Sequence, residues 1–124
     1  MTTALFTHAS ARSHLMPVDH PEQVARYDAV IAALEGLDLD RREAPLAAAA
    51  EILRCHPQSY LDRIRGAIPD AGLVMLDGDT HVSPDSLEAA LRGVGGACAA
   101  VDAVLGGEAA NAFVADRKST RLTP

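Results

Sequence analysis

Tryptophan is absent from the 124 residues, and aromatic side chains make up only 3% of them. The ring surfaces that dominate many cores are therefore missing. Lysine occurs once, at Lys118, against ten arginines. The two cysteines, Cys55 and Cys98, have no CxxC spacing, which excludes a disulfide framework and a zinc-finger pattern. Both read as small buried hydrophobes. No segment approaches the ~18 uninterrupted apolar residues of a membrane span, and the N-terminus lacks a basic stretch followed by a long apolar one. Cytoplasmic residence without membrane contact is the expectation. The chain also has no Walker A motif, no GxGxxG and no GxSxG elbow. Gly93-x-Gly95-Gly96 falls inside a helical stretch, not after a strand, which disfavours nucleotide binding.

What is abundant is alanine. There are 24 Ala against 14 Leu within a hydrophobic fraction of 48%, and alanine removes little apolar area from water. One small domain with a thin core follows. The net charge is −6, which argues against a nucleic-acid partner, because affinity for a phosphate backbone comes mostly from Lys and Arg displacing counterions. Composition changes at Ala115. Asp116-Arg-Lys-Ser-Thr-Arg-Leu-Thr-Pro124 holds three of the basic residues and one acid, so residues 1–115 carry −8. Residues 1–115 read as one portion of a domain and 116–124 as a non-native-looking tail. The run resembles the conceptual translation of a sequencing-library adapter.

Ala4-Leu-Phe-Thr7 reads as a buried strand. Pro21 and Glu22 open a helix with Val24, Tyr27, Ile31 and Leu34 on one face and Gly36 as its stop. Residues 41–44 read as an edge strand. A second helix is expected from Pro45, with Leu46, Ala49, Ile52 and Leu53 inward, and a third over 58–68 with Tyr60, Leu61, Ile64 and Ile68 on one side. Gly72–Leu76 is an apolar run leading into the acidic, turn-prone loop Asp77-Gly-Asp-Thr-His81. Ser83 is expected to cap a long helix carrying Leu87, Leu91, Val94, Cys98, Val101 and Leu105 at steps of four and three. The glycines inside it imply close backbone approach of a neighbour. Residues 112–115 read as a last strand. Helices alternating with short apolar runs predict an α/β fold with an incomplete parallel sheet flanked by helices.

Histidines recur at His8, His14 and His20, but a six-residue period matches neither helical nor tight-turn ligand spacing, so they read as loop residues and no metal site is assigned. His56 before Pro57 reads as a helix-boundary residue. Asp77 and Asp79 form either a carboxylate pair or a turn stabilised by its own aspartates.

In order, the chain presents Thr7-His8, His20-Pro21-Glu22-x-x-x-Arg26, His56-x-x-x-Tyr60, Asp77-x-Asp79-Thr80-x-x-Ser83, Gly95-Gly96, Ala100-Val101-Asp102 and Asn111-Ala112-Phe113. This succession resembles the N-terminal third of the histone deacetylase and acetylpolyamine amidohydrolase family, in its bacterial class II-like branch. Asp19 stands where that family usually has Gly. The resemblance implies the N-terminal part of an arginase/deacetylase-like fold. It implies a parent enzyme that uses Zn2+ to hydrolyse acyl-lysine or acetylpolyamine amides. The metal ligands would lie beyond Ala115, so no zinc and no activity are expected of this stretch alone. It also implies that residues 14–22 line the pocket mouth and that Asp79 binds substrate by accepting hydrogen bonds from its backbone amides. The alternative is a stand-alone acidic α/β module that associates through exposed apolar faces.

Overall fold

The structure, a computed structural model, describes residues 2–15, 24–77 and 80–116. Its centre is strand β1 (Thr3–Thr7), whose residues Ala4, Leu5 and Phe6 are all buried. A continuous apolar run is what a parallel strand needs when both of its faces are covered. β1 pairs in parallel with β2 (Asp40–Glu43) on one side and β5 (Asn111–Val114) on the other, giving the order β2-β1-β5. Leu5 faces Arg41 and Phe113 in register.

The two faces of the sheet are covered by different segments. Leu5 points to a layer built from Ala11 of a 3-10 turn (Ala9–Ser13) and from helix α1 (Val24–Leu34), through Tyr27, Val30, Ile31 and Leu34. Ala4 and Phe6 point to the opposite layer, where helix α4 (Ser86–Leu105) supplies Ala100 and Ala103. The crossover from β1 to β2 thus runs over one face, and the return from β2 past β1 to β5 runs over the other. Opposite directions on opposite faces give both crossovers the same hand, as parallel sheets require. Arg41 ends α1, donating from Nη2 to the carbonyls of Leu34, Glu35 and Leu37 at 2.7, 3.2 and 3.2 Å. A cation on a helix's last carbonyls suits its C-terminus.

Helix α4 packs through its small residues. Ala89, Gly93, Gly96, Ala100 and Ala103 are buried, at steps of four and three. The stretch 44–47 lies against it so closely that a Cβ at Gly95 would collide with the Pro45 carbonyl and come 2.9 Å from the Ala47 nitrogen. A Cβ at Gly96 would meet Ala44 Cβ and Val114 Cγ1 at 3.1 Å. The expected close approach is therefore present. Of the larger residues that recur along α4, Leu105, at 82% exposure, and Val101 lie open. The smaller residues win because only they let the helix axis approach the sheet.

The second helix also departs from expectation. It does not start at Pro45 but forms α2 (Ala49–Leu53), and Leu46 and Leu53 are exposed. The backbone of 44–47 is committed elsewhere: Ala44 N donates to Thr7 O at 2.8 Å, Ala47 N donates to Leu91 O at 3.0 Å, and Arg92 Nη1 donates to Ala44 O at 3.0 Å. Helical turns there would forfeit all three. Helix α3 (Gln58–Ala67) matches its expected range and buries Leu61 and Ile64. His56, at the boundary before it, stacks on Tyr60 with centroids 4.5 Å apart.

These glycine contacts predict two opposite outcomes in urea denaturation. Gly95→Ala loses roughly 3 kcal/mol or more, since the obstacle is backbone that cannot rotate away. Gly66→Ala, within α3 and with nothing near its added methyl, gains about 0.5–1 kcal/mol.

Candidate functional site

Two segments singled out by the sequence meet at the N-terminal end of α4. The acidic stretch after Leu76 is not a plain loop. Strand β3 (Val74–Asp77) pairs antiparallel with β4 (Thr80–Val82), with Val74 opposite Val82 and Met75 opposite His81. The register shifts between Met75 and Asp77, which marks a bulge, and bulges bend a strand locally. Asp79 lies outside the described residues, as does His20. Val82 and Ser83 are completely buried, so the β4 end of the hairpin is fixed where it enters α4.

Against this point lies the end of the 3-10 turn. His8 opens that turn, its Nδ1 accepting from Ser10 N at 3.0 Å, and its Nε2 stands 3.2 Å from Glu43 Oε1. Nδ1 is therefore the acceptor and Nε2 carries the proton toward the carboxylate. Tyr27 OH donates to His8 O at 3.3 Å, and burial pushes the Tyr27 phenol up. His14, expected as a loop residue, is buried, with Nδ1 2.6 Å from Ser86 Oγ. Ser86 Oγ also accepts from Ser83 N at 2.7 Å, while Ser83 Oγ donates to Ser13 O at 3.1 Å and accepts from Leu15 N at 3.0 Å. Ser83 is thus not the side-chain cap expected of it. Its hydroxyl turns away to the 13–15 segment, and the hydroxyl of Ser86 reaches back to cap the Ser83 amide. The spacing Ser83-x-x-Ser86 ahead of a long helix, a variant of the capping box, was the available signal for this arrangement.

The carboxyl ends of β1 and β5 bring His8, Ala115 and Asp116 to the rim of a small cavity of about 10 Å3, room for scarcely one water. Among the described residues no three His, Cys, Asp or Glu side chains come together closely enough to hold a metal ion. The described part does not fit a zinc centre. No described helix is long and apolar enough to cross a membrane.

The cysteines correct another expectation. Cys55 is exposed, and Cys98 is only partly buried. Glu51 lies within electrostatic reach of the second, and its carboxylate accepts from Ala48 N at 3.0 Å. Thiol and amide together hold the Glu51 carboxyl below the usual range, and the carboxylate holds the Cys98 thiol above its own. A raised thiol pKa makes a poor nucleophile near neutrality.

The histone deacetylase domain description matches residues 20–119. This chain belongs to the histone deacetylase domain family. It is 46% identical over 79 residues to the histone deacetylase-like amidohydrolase of Pseudomonas aeruginosa, a match covering 64% of this chain and 20% of that protein. The chain thus spans about a fifth of the curated relative's length. Among solved structures, the HDA15 HD domain superposes with a TM-score of 0.84 at 19% identity, over 94% of this chain and 36% of that one. At that identity the likeness establishes the fold, an α/β deacetylase architecture built on a parallel sheet.

The thiol geometry predicts that iodoacetamide at pH 8 alkylates Cys55 several-fold faster than Cys98, as read by peptide mass mapping. Glu51→Gln removes the charge that disfavours the Cys98 thiolate and narrows the gap.

Proposed function

We propose that this histone deacetylase family chain forms the pocket-mouth portion of a zinc-dependent amidohydrolase. That enzyme would remove acyl groups from lysine or polyamine amides in the cytoplasm. The observation that carries the reading is the family match over residues 20–119, supported by the 46% identity to a protein named as an amidohydrolase. Zinc, where the rest of such an enzyme held it, would supply Lewis-acid chemistry for amide hydrolysis. Its ligands are proposed to lie beyond the position of Ala115 in the parent enzyme, so that this chain by itself would be inactive. The chain's own contribution is substrate capture. Asp79 is proposed to accept hydrogen bonds from the backbone amides flanking the acylated side chain, a task suited to an ionised carboxylate. Support comes from its position between β3 and β4, in a hairpin whose β4 end is buried at α4. Nucleic acid and membrane have no part in this reading, in keeping with the −6 charge.

A second reading, a stand-alone acidic interaction module, is favoured by Leu105 at 82% and Phe113 at 51% exposure. Large apolar side chains in the open mark surfaces that associate.

A chimaera separates the two. With residues 1–115 of this chain replacing the corresponding segment of the Pseudomonas amidohydrolase, zinc-dependent acetate release from an acetyl-lysine peptide is expected. The 124-residue chain with added zinc should release none. Asp79→Asn in the chimaera is expected to raise KM about tenfold, the loss of one charged hydrogen bond. An inert but well-folded chimaera would overturn the amidohydrolase reading, and acetate release by the chain alone would overturn the proposed inactivity of this portion by itself. A monodisperse, cooperatively melting chain alongside that inert chimaera would establish the module.

A further inference from the structure

Three contacts lie end to end between His14 and the 13–15 backbone: His14 Nδ1 to Ser86 Oγ at 2.6 Å, Ser86 Oγ to Ser83 Oγ at 3.1 Å, and Ser83 Oγ to Ser13 O at 3.1 Å. His14, Ser83 and Ser86 are all buried, and the contacts run between protein groups. Each contact needs one proton, since two lone pairs facing each other at hydrogen-bond distance repel. The two hydroxyls supply two protons. A carbonyl supplies none, so the Ser83 proton must point at Ser13 O. The Ser86 proton must then point at Ser83 Oγ, which leaves the first contact to be filled from the imidazole.

We infer that His14, Ser86 and Ser83 form a one-way hydrogen-bond relay, His14 Nδ1–H to Ser86 to Ser83 to the Ser13 carbonyl. It acts as a positioning device that holds residues 13–15 against residues 82–86. The remaining donors agree with this direction. Ser86 Oγ accepts from Ser83 N, and Ser83 Oγ accepts from Leu15 N, so each hydroxyl donates once and accepts twice. The relay gives His14 the opposite proton placement to His8, whose Nδ1 is occupied by the Ser10 amide. Residues 13–15 lead in sequence into 16–23, and residue 82 follows closely on Asp79. On the proposed function, the stretches the relay holds together adjoin in sequence the segments assigned to the pocket mouth. That consequence for substrate rests on the proposed amide-binding function; the relay itself does not.

Nitrogen-15 NMR of the histidine-labelled 124-residue chain tests the proton count, with His14 assigned by its loss in His14→Asn. A directly bonded proton on Nδ1 of His14, with none on Nδ1 of His8, is expected. An unprotonated His14 Nδ1 would overturn the relay. Hydrogen exchange tests the coupling: Ser86→Ala should speed exchange of the Leu15 and Ser83 amides at least tenfold relative to Leu5 and Phe6 of β1. His14→Asn, whose amide N–H can stand where Nδ1–H stood, should leave the Leu15 amide protected where His14→Leu does not. Exchange that rises equally in β1, or does not rise at all, would reduce the contacts to ordinary packing and sink the inference. If β1 shows no protection in the chain alone, the same measurements are made in the chimaera. There Ser86→Ala is expected to raise KM several-fold with kcat within twofold. A verified relay with an unmoved KM would leave the positioning device standing and defeat the substrate reading of the rim.

Discussion

The contact between α4 and the extended stretch 44–47 is the constraint on which the rest of the molecule depends. Gly95 leaves open the side of the helix where a methyl would stand, which lets the Pro45 carbonyl in and exposes Leu91 O to a second donor, Ala47 N. Arg92 closes the arrangement from the helix by binding Ala44 O, while Ala44 N continues the β1 ladder through Thr7 O. One short stretch is therefore strand extension on one side and helix partner on the other. Through it the helix is held against the sheet at a distance set by alanine and glycine, and the position of the helix N-terminus is fixed with it.

That fixed N-terminus is what makes the polar network at Ser83 and Ser86 possible. Buried hydroxyls are tolerated only where geometry lets every lone pair and proton find a partner, and such geometry needs rigid support on both sides. The hairpin supplies one support through the buried Val82, and the 3-10 turn, held by His8 and Tyr27, supplies the other. A carboxylate carried on a hairpin gains nothing from its charge unless the hairpin's position is reproducible.

Much of this was legible in the sequence, and the failures share a cause. β1, α1, α3 and β5 could be read because their patterns are local: a short apolar run, a 3.6-residue period, a proline and a glycine at the ends. The late start of the second helix and the diverted hydroxyl of Ser83 are not legible there because each is decided by a partner distant in the chain. Leu91 and Arg92 claim the backbone after Glu43, and Ser13 and Leu15 claim the hydroxyl of Ser83. Propensity carries no information about such claims. His14 reads as a loop residue in sequence because its partner Ser86 lies 72 positions away. Of the family's pattern, the order of the short motifs was enough to indicate the deacetylase fold, since order survives where individual side-chain contacts cannot be foreseen. Asp79 lies outside the described residues, and its role belongs to the proposal.

The exposed face of α4 follows from the same geometry. A helix that seats itself with glycine and alanine has its leucines and valines left for the other side. Towards its N-terminal half they find cover: Leu87, Leu91 and Val94 border a cavity of about 110 Å3 with Ile52, Tyr60, Leu61 and Ile64. Towards the C-terminal half, Val101, Val104 and Leu105 have no comparable cover among the described residues. A helix apolar on two faces belongs in the interior of a layered body, not at its surface. The same bare residues thus favour association in the module reading and further layers of one domain in the hydrolase reading. Exposure alone does not separate these; a gain of zinc-dependent turnover when the face is covered by the rest of an amidohydrolase does.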